Sequence, residues 1–305
     1  MQTGLVHAAA GGYAAGPATE FRLSAMLDST QLGRLVRRRT PYQHPDVPFV
    51  VLWAQKAGCT SVFKWFLWHA GLLDTAAQYR ADEEGLSIHN YETEVFKKTP
   101  GYLDRLVTRI EAGVAVVNFL RCPYSRAFSS YMHLHNRFYI RFERDGIRNP
   151  GLELRYEILE AVYGYRPPVE YPFSFMDYLQ WLDGHEIADI EPHHATQYTP
   201  LYALPGVTHY RLEDFDAAVR AIERQYALPD SSGQRTRFSS AHHLAKSPLQ
   251  GAALAKFLER GVSLSRSPKY LIPEVGREAL AGTAYGDLIE RIFHRDIALY
   301  QSVCP

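Results

Sequence analysis

Val47-Pro-Phe-Val-Val-Leu-Trp53, followed by Gln55-Lys-Ala-Gly-Cys-Thr-Ser61 and by Val62-Phe-Lys-Trp-Phe-Leu-Trp-His-Ala70, is the stretch from which the fold follows. The first piece is a continuous apolar run of strand length, as expected for a strand covered on both faces. The last piece has helical length, and Gly71 closes it in the C′ position. A short polar turn with one glycine lies between them. The same order recurs at Val114-Ala-Val-Val-Asn-Phe-Leu120, a second buried strand ended by Arg121 and Cys122. Pro123 then occupies the first position of a helix that runs to about His135. A third strand is expected over Val207-Thr-His-Tyr-Arg-Leu212, leading through Glu213 and Asp214 into a helix from Phe215 to about Tyr226. This alternation predicts an α/β domain with a central parallel sheet flanked by helices. Such sheets bind ligands at the carboxyl ends of their strands, where both polar turns fall.

The remainder of the 305 residues fits one large domain. Residues 1–45 read as a partly flexible N-terminal extension, and residues 46–305 as a single domain. Met1 to Gly16 is small and weakly apolar, has no basic leader and is broken by Gly11 and Gly12, which is unlike a signal peptide. Arg34, Arg37, Arg38 and Arg39 form a basic run that is either a solvated helix face or a patch turned toward a ligand. Residues 132–172 are dense in Tyr, Arg, His and Phe without a clean period. They read as an irregular insertion, either covering a site or forming a packing layer.

Lys plus Arg equals Asp plus Glu at 33 each, so no global field advertises nucleic acid as a partner, and any anion site must be local. No window is apolar enough for a membrane span. Three cysteines (Cys59, Cys122, Cys304) have neither disulfide-framework nor metal-ligand spacing, and no metal cluster is expected. A reduced, cytoplasmic setting fits this usage. Composition leaves the oligomeric state open.

Lys56-Ala-Gly-Cys-Thr-Ser61 sits between a buried strand and a helix N-terminus. Backbone N–H groups converge there, and the helix dipole favours negative charge. Gly58 lets the backbone approach an anion, Thr60 and Ser61 add hydroxyls, and Lys56 adds a full charge. The stretch is either a phosphate cradle or an ordinary capped turn. It lacks the Gly-x-x-x-x-Gly-Lys-Ser/Thr spacing of nucleoside triphosphatases. Arg121, at the end of the second strand, can offer a planar fork to a phosphate or make a helix-start salt bridge. Ser129 can add a hydroxyl from the helix that follows.

Together the two turns resemble the sulfotransferase superfamily, whose donor is PAPS (3′-phosphoadenosine 5′-phosphosulfate). Lys56 to Ser61 is similar to its 5′-phosphosulfate loop, and Phe119-Leu-Arg-Cys-Pro-Tyr-Ser-Arg-Ala-Phe-Ser-Ser-Tyr131 to its 3′-phosphate motif, with Cys122 in place of the usual Asp. Further matches point to the carbohydrate sulfotransferase (sulfotransferase family 2) branch. They are Phe173 to Leu179, His193-His-Ala-Thr-Gln197 with Thr196 for proline, Tyr210-Arg-Leu-Glu213, His243-Leu-Ala-Lys246-Ser247, and Ile292 to Tyr300.

The resemblance implies a P-loop nucleoside-triphosphatase-like fold and transfer of a sulfuryl group from PAPS to a hydroxyl, releasing PAP (3′-phosphoadenosine 5′-phosphate). It implies that Lys56, Ala57, Gly58, Cys59, Thr60 and Ser61 hold the 5′-phosphosulfate, with Lys56 also acting on the departing oxygen. Arg121 and Ser129 then hold the 3′-phosphate, and Lys246 and Ser247 lie near the nucleotide. His89, between the two nucleotide motifs, is the leading general base, or else a hydrogen-bonded loop histidine. His193, Gln197 and Arg137 are expected on the acceptor side, whereas His133 and His135 are read as structural. The branch favours a carbohydrate acceptor. A lipid or small alcohol, or a non-catalytic nucleotide- or glycan-binding relative, are the alternatives. A kinase would need a triphosphatase spacing and a metal carboxylate that the sequence does not show.

Overall fold

A computed structural model describes residues 29–79, 87–203, 206–239, 246–247, 251–261, 263–264, 272–273 and 275–303. The described elements begin with α1 (Ser29–Arg38), β1 (Phe49–Leu52), α2 (Cys59–His69), α3 (Leu73–Gln78), α4 (Ser87–Glu94) and α5 (Tyr102–Glu111). Then come β2 (Ala115–Leu120), α6 (Pro123–His133), α7 (Phe138–Arg144), α8 (Pro150–Tyr163), α9 (Phe175–Asp183), β3 (Val207–Arg211), α10 (Phe215–Gln225) and α11 (Arg235–Phe238). The two-residue strands β4 (Lys246–Ser247) and β5 (Ile272–Pro273) bracket α12 (Gly251–Arg260), and α13 (Arg277–Leu280), α14 (Ala284–Ile292) and α15 (His294–Val303) end the chain.

The architecture is α/β. β1, β2 and β3 lie in that order in one sheet, and both pairings are parallel. Leu52 pairs with Asn118 and Leu120 with Arg211, so the three carboxyl ends emerge along one edge of the sheet. β1 is buried throughout although it lies outermost in this order. Its open side is covered by Tyr42, whose backbone N–H and carbonyl both bond Val51 at 2.9 Å. That pairing removes the exposed strand edge that would otherwise invite association.

The local signals act as their chemistry requires. Gly71 (φ 69°) takes the left-handed position after α2, with Gly71 N–H bonding Trp68 O (3.1 Å) and Leu72 N–H bonding Leu67 O (2.8 Å). This double closure satisfies two terminal carbonyls of the helix. Pro123 is the first residue of α6, where its missing N–H costs nothing.

Two apolar cores result. The first surrounds the sheet and includes Trp65 and Phe66 of α2, Leu106 and Ile110 of α5, and Val219 and Ile222 of α10. Burial of each such side chain contributes about 1.5–3 kcal/mol. The second core is helical, built from α6, α8, α9, α12 and α14 around Tyr131, Ile158, Phe175, Leu179 and Ile289.

Two expectations need correction. Residues 132–172 are not irregular, since α7 and α8 occupy most of them. Their period is hidden because a charged residue is inside: Arg155 of α8 is fully buried and donates to Val169 O (2.8 Å), Leu134 O (3.0 Å) and Tyr171 O (2.6 Å). The described part of residues 1–45 is also part of the domain. Leu32 and Val36 of α1 are buried in the first core, against α5. The basic run divides its work: Arg38 pairs with Asp189 (2.7 Å), and Arg39 donates to Gln197 O (2.9 Å) and Thr196 O (3.1 Å). No helix among the described residues is long and apolar enough to cross a membrane.

Candidate functional site

The turn from β1 to α2 is built around two left-handed residues, Lys56 (φ 62°) and Gly58 (φ 69°). Gly58 is needed there twice over. Its φ disfavours any side chain, and a Cβ would lie 2.4 Å from Cδ1 of Leu212. Lys56 pays about 1–2 kcal/mol for that conformation, so its surroundings must hold it. They do so from the second motif. Arg121 donates from Nη1 to Lys56 O (2.8 Å), and buried Arg126 donates from Nε to Gln55 O (3.1 Å). The two strand-end turns therefore meet. Gly58 at the N-cap of α2 has no side chain to cap it, and no side chain among the described residues bonds the N–H groups of Cys59 and Ser61, so the positive end of the helix stays open.

The Lys56 ammonium makes no hydrogen bond or ion pair among the described residues. Burial, then the guanidinium of Arg121 and, more weakly, that of Arg126, pull its pKa down to about 8, against smaller opposing effects from Cys59 and Glu191. A cation destabilised in this way gains most from an arriving anion. Ala57 is buried and bonds back to Ala54 O (3.2 Å). Burial raises the Cys59 thiol, which stays protonated, and Ser61 is buried in the first turn of α2. Ser129 is half-buried on α6, and its hydroxyl makes no hydrogen bond among the described residues.

His89 stands on a helix, α4, rather than in a loop. Its Nε2 lies 3.0 Å from Thr60 Oγ1 of the turn, and its Nδ1 lies 3.3 Å from Glu92 Oε2. Glu92 is buried and also accepts from Lys97 Nζ (2.5 Å) and Tyr42 OH (3.1 Å). Lys97 in turn sits over the rings of Trp53 (4.4 Å) and Tyr42 (4.9 Å). An imidazole is thus tied to the turn between β1 and α2 on one side and to a carboxylate on the other.

The segment from Glu191 to Tyr198 closes the opposite side. His193 is half-buried, with Nδ1 2.6 Å from Glu191 Oε1 and its ring stacked on His133 at 4.2 Å. His194 is buried against Tyr178 OH (3.0 Å). Burial, followed by His193 and then by the charges of Lys56 and Arg126, holds it well below the ordinary histidine range. Gln197, expected on the acceptor side, is joined here to the second turn. It is fully buried, and its amide is spent on the backbone of Arg121, accepting from N–H (3.2 Å) and donating to the carbonyl (2.8 Å). Buried Asp296 of α15 fixes this turn by accepting from Thr196 Oγ1, Gln197 N–H (2.9 Å) and Tyr198 N–H (2.7 Å). Glu213, just after β3, accepts from Cys122 N–H (2.9 Å) and Tyr300 OH (3.0 Å).

Arg137 is exposed at the N-cap of α7, and its guanidinium makes no hydrogen bond or ion pair among the described residues that would tie it to this group. Lys246 and Ser247 form β4, but their side chains lie outside what is described, as does His243. His135 is buried and driven down to about 3, chiefly by burial, so it stays neutral. Cys59 and Cys122 are free thiols, and Cys304 lies outside the described residues. No group of three metal-ligating side chains comes together among the described residues.

Sequence reasoning passed over Glu92, Lys97, Glu191 and Arg126. The three-residue spacing of His89 and Glu92 on a helix was the available signal for the first. The chain matches no protein-family model, no curated protein and no solved structure with which it was compared.

Proposed function

We propose that this protein is a sulfotransferase that moves a sulfuryl group from PAPS to an acceptor hydroxyl and releases PAP. The observation that carries the reading is the meeting of the two strand-end turns, through Arg121 Nη1 and Lys56 O at 2.8 Å, beside an ammonium without a partner among the described residues and a helix whose N-cap is a glycine. One doubly phosphorylated nucleotide can engage both turns at once. The reading carries with it the P-loop-like arrangement of the sulfotransferase superfamily and a cytoplasmic setting. A carbohydrate acceptor rests on sequence resemblance alone.

In this mechanism the acceptor oxygen attacks sulfur as the bond from sulfur to the 5′-phosphate oxygen breaks. In-line phosphoryl transfer is the closest analogy, with catalysis resting on position and charge. Lys56 and the first-turn N–H groups of α2 stabilise the charge that grows on the departing oxygen. Arg121 and Ser129 hold the 3′-phosphate. His89 Nε2 takes the acceptor proton, and Thr60, now its partner, turns its hydroxyl to the donor phosphate.

Transfer of label from PAPS to a panel of hydroxyl acceptors, carbohydrates first, tests the proposal. Lys56→Ala is expected to lower turnover by about 10²–10³-fold, the loss typical of one donor to a developing oxyanion, while PAP still binds. Near-normal turnover in that variant would remove the role given to Lys56.

A further inference from the structure

We propose that Glu92 is a positioning residue for the proton transfer: its buried carboxylate fixes the tautomer and the ring orientation of His89 so that Nε2 is the bare nitrogen. This rests on the reading above, in which His89 is the base. Three neighbours donate toward Glu92. Lys97 Nζ and Tyr42 OH occupy Oε1, at 2.5 and 3.1 Å, which leaves Oε2 to His89 Nδ1 at 3.3 Å. An ionised carboxylate only accepts hydrogen bonds, so the proton of the neutral imidazole belongs on Nδ1. Nε2 then carries the lone pair and accepts from Thr60 Oγ1 at 3.0 Å. A free imidazole has no such restriction, and the lost choice is what Glu92 supplies.

The carboxylate remains ionised although it is buried. Burial pushes its pKa up, but the His89 hydrogen bond and Lys97 outweigh this and hold it below the ordinary value. Lys97 itself sits over the stacked rings of Tyr42 and Trp53. Trp53 is anchored in turn by Nε1–H to Thr40 O (2.8 Å) and by its carbonyl to Tyr202 OH (2.8 Å). The support for the base therefore reaches back to the end of β1. The titratable groups that act on Glu92 are His89 on its own helix, Lys97, Tyr42, Tyr102 and the Cys59 thiol of the anion turn. Lys97 is the cation in contact with it. Carboxylate-oriented histidine bases depend on this arrangement, and a neutral amide in the carboxylate's place leaves the wrong tautomer.

The test combines Glu92→Gln, similar in shape but neutral, with imidazole ¹⁵N shifts of His89 in the unsubstituted full chain. Glu92→Gln is expected to lower kcat for sulfuryl transfer by about 10²-fold or more, with KM and PAP affinity within about twofold of the original. In the folded variant the imidazole ¹⁵N shifts of His89 should show the tautomer protonated at Nε2 gaining population, because the acceptor that held the proton on Nδ1 is gone. A merely structural residue would lower the folded fraction without changing that tautomer. The ¹⁵N spectrum should show a protonated Nδ1 and a bare Nε2 in neutral His89, a reading that needs no substituted protein to fold and no turnover. Protonation of Nε2 instead overturns the proposal. So does wild-type turnover in Glu92→Gln when His89→Ala is inactive. If no sulfuryl transfer occurs in the unsubstituted chain, the function falls, and the tautomer is still decided by the spectrum.

Discussion

Replacing Asp296 by Ala should destabilise the protein and loosen the anion turn together. The carboxylate is buried, accepts two backbone N–H groups and the Thr196 hydroxyl, and stands 4.0 Å from the guanidinium of Arg126. Truncation orphans the N–H groups of Gln197 and Tyr198, at about 1–3 kcal/mol for each unsatisfied buried group. It also leaves Arg126 buried without a counter-charge, and breaking a buried pair from one side costs about 3–5 kcal/mol. Burial already drags the Arg126 guanidinium down to about 10 against the pull of Asp296. The contributions share partners and are not additive. The expected loss is therefore about 3–5 kcal/mol, a large share of a typical domain's stability. Urea unfolding followed by circular dichroism measures it, with PAP titration of the folded fraction as the second readout. Gln197 should then release the Arg121 backbone, and PAP affinity should fall even where the fold persists. A loss below about 1 kcal/mol, within reach of an ordinary surface substitution, would refute the reasoning.

Two other outcomes follow from the same turn. The Lys56 pKa of about 8 in the free chain means that its charge is lost as pH rises through that value. Because this lysine is depressed below its ordinary value, folding stability should rise with pH between about 8 and 10.5. Over the same window a bound dianion restores the charge. Calorimetry of PAP binding at pH 8.5, in two buffers of different ionisation enthalpy, should therefore show uptake of up to one proton, and none at pH 6.5. Gly58→Ala puts a side chain into a left-handed position and against Leu212. It should weaken PAP binding by tenfold or more while the thermal midpoint moves by only a few degrees, and unchanged affinity would show that the turn does not hold the nucleotide.

Much of the fold was legible because its signals are local. Uninterrupted apolar runs marked β1 and β2, Gly71 closed α2, and Pro123 opened α6. The alternation of these elements was enough for a parallel sheet whose polar turns share one edge. What escaped the sequence depends on contacts distant along the chain. The helices within residues 132–172 bury Arg155 and an aromatic layer, so the polar and apolar faces that define a helical period are missing. The resemblance placed Gln197 on the acceptor side, and its bond to a backbone 76 residues away is a contact that no local pattern announces. Leu32 and Val36 gave α1 too short an apolar stripe to predict that it would pack on α5. Glu92 carried a usable spacing but no sign that it would be buried.

The measurement that bears most directly on the account is the relative affinity for three adenosine nucleotides. Isothermal calorimetry of the full chain with PAP, ADP and Mg-ATP separates a site built for 3′- and 5′-phosphates from one built for a polyphosphate chain. Two turns joined through Arg121 and Lys56 predict at least a 100-fold preference for PAP, equivalent to about 2.7 kcal/mol. Equal affinities, or a preference for Mg-ATP, would contradict the claim that both turns grip one doubly phosphorylated adenosine.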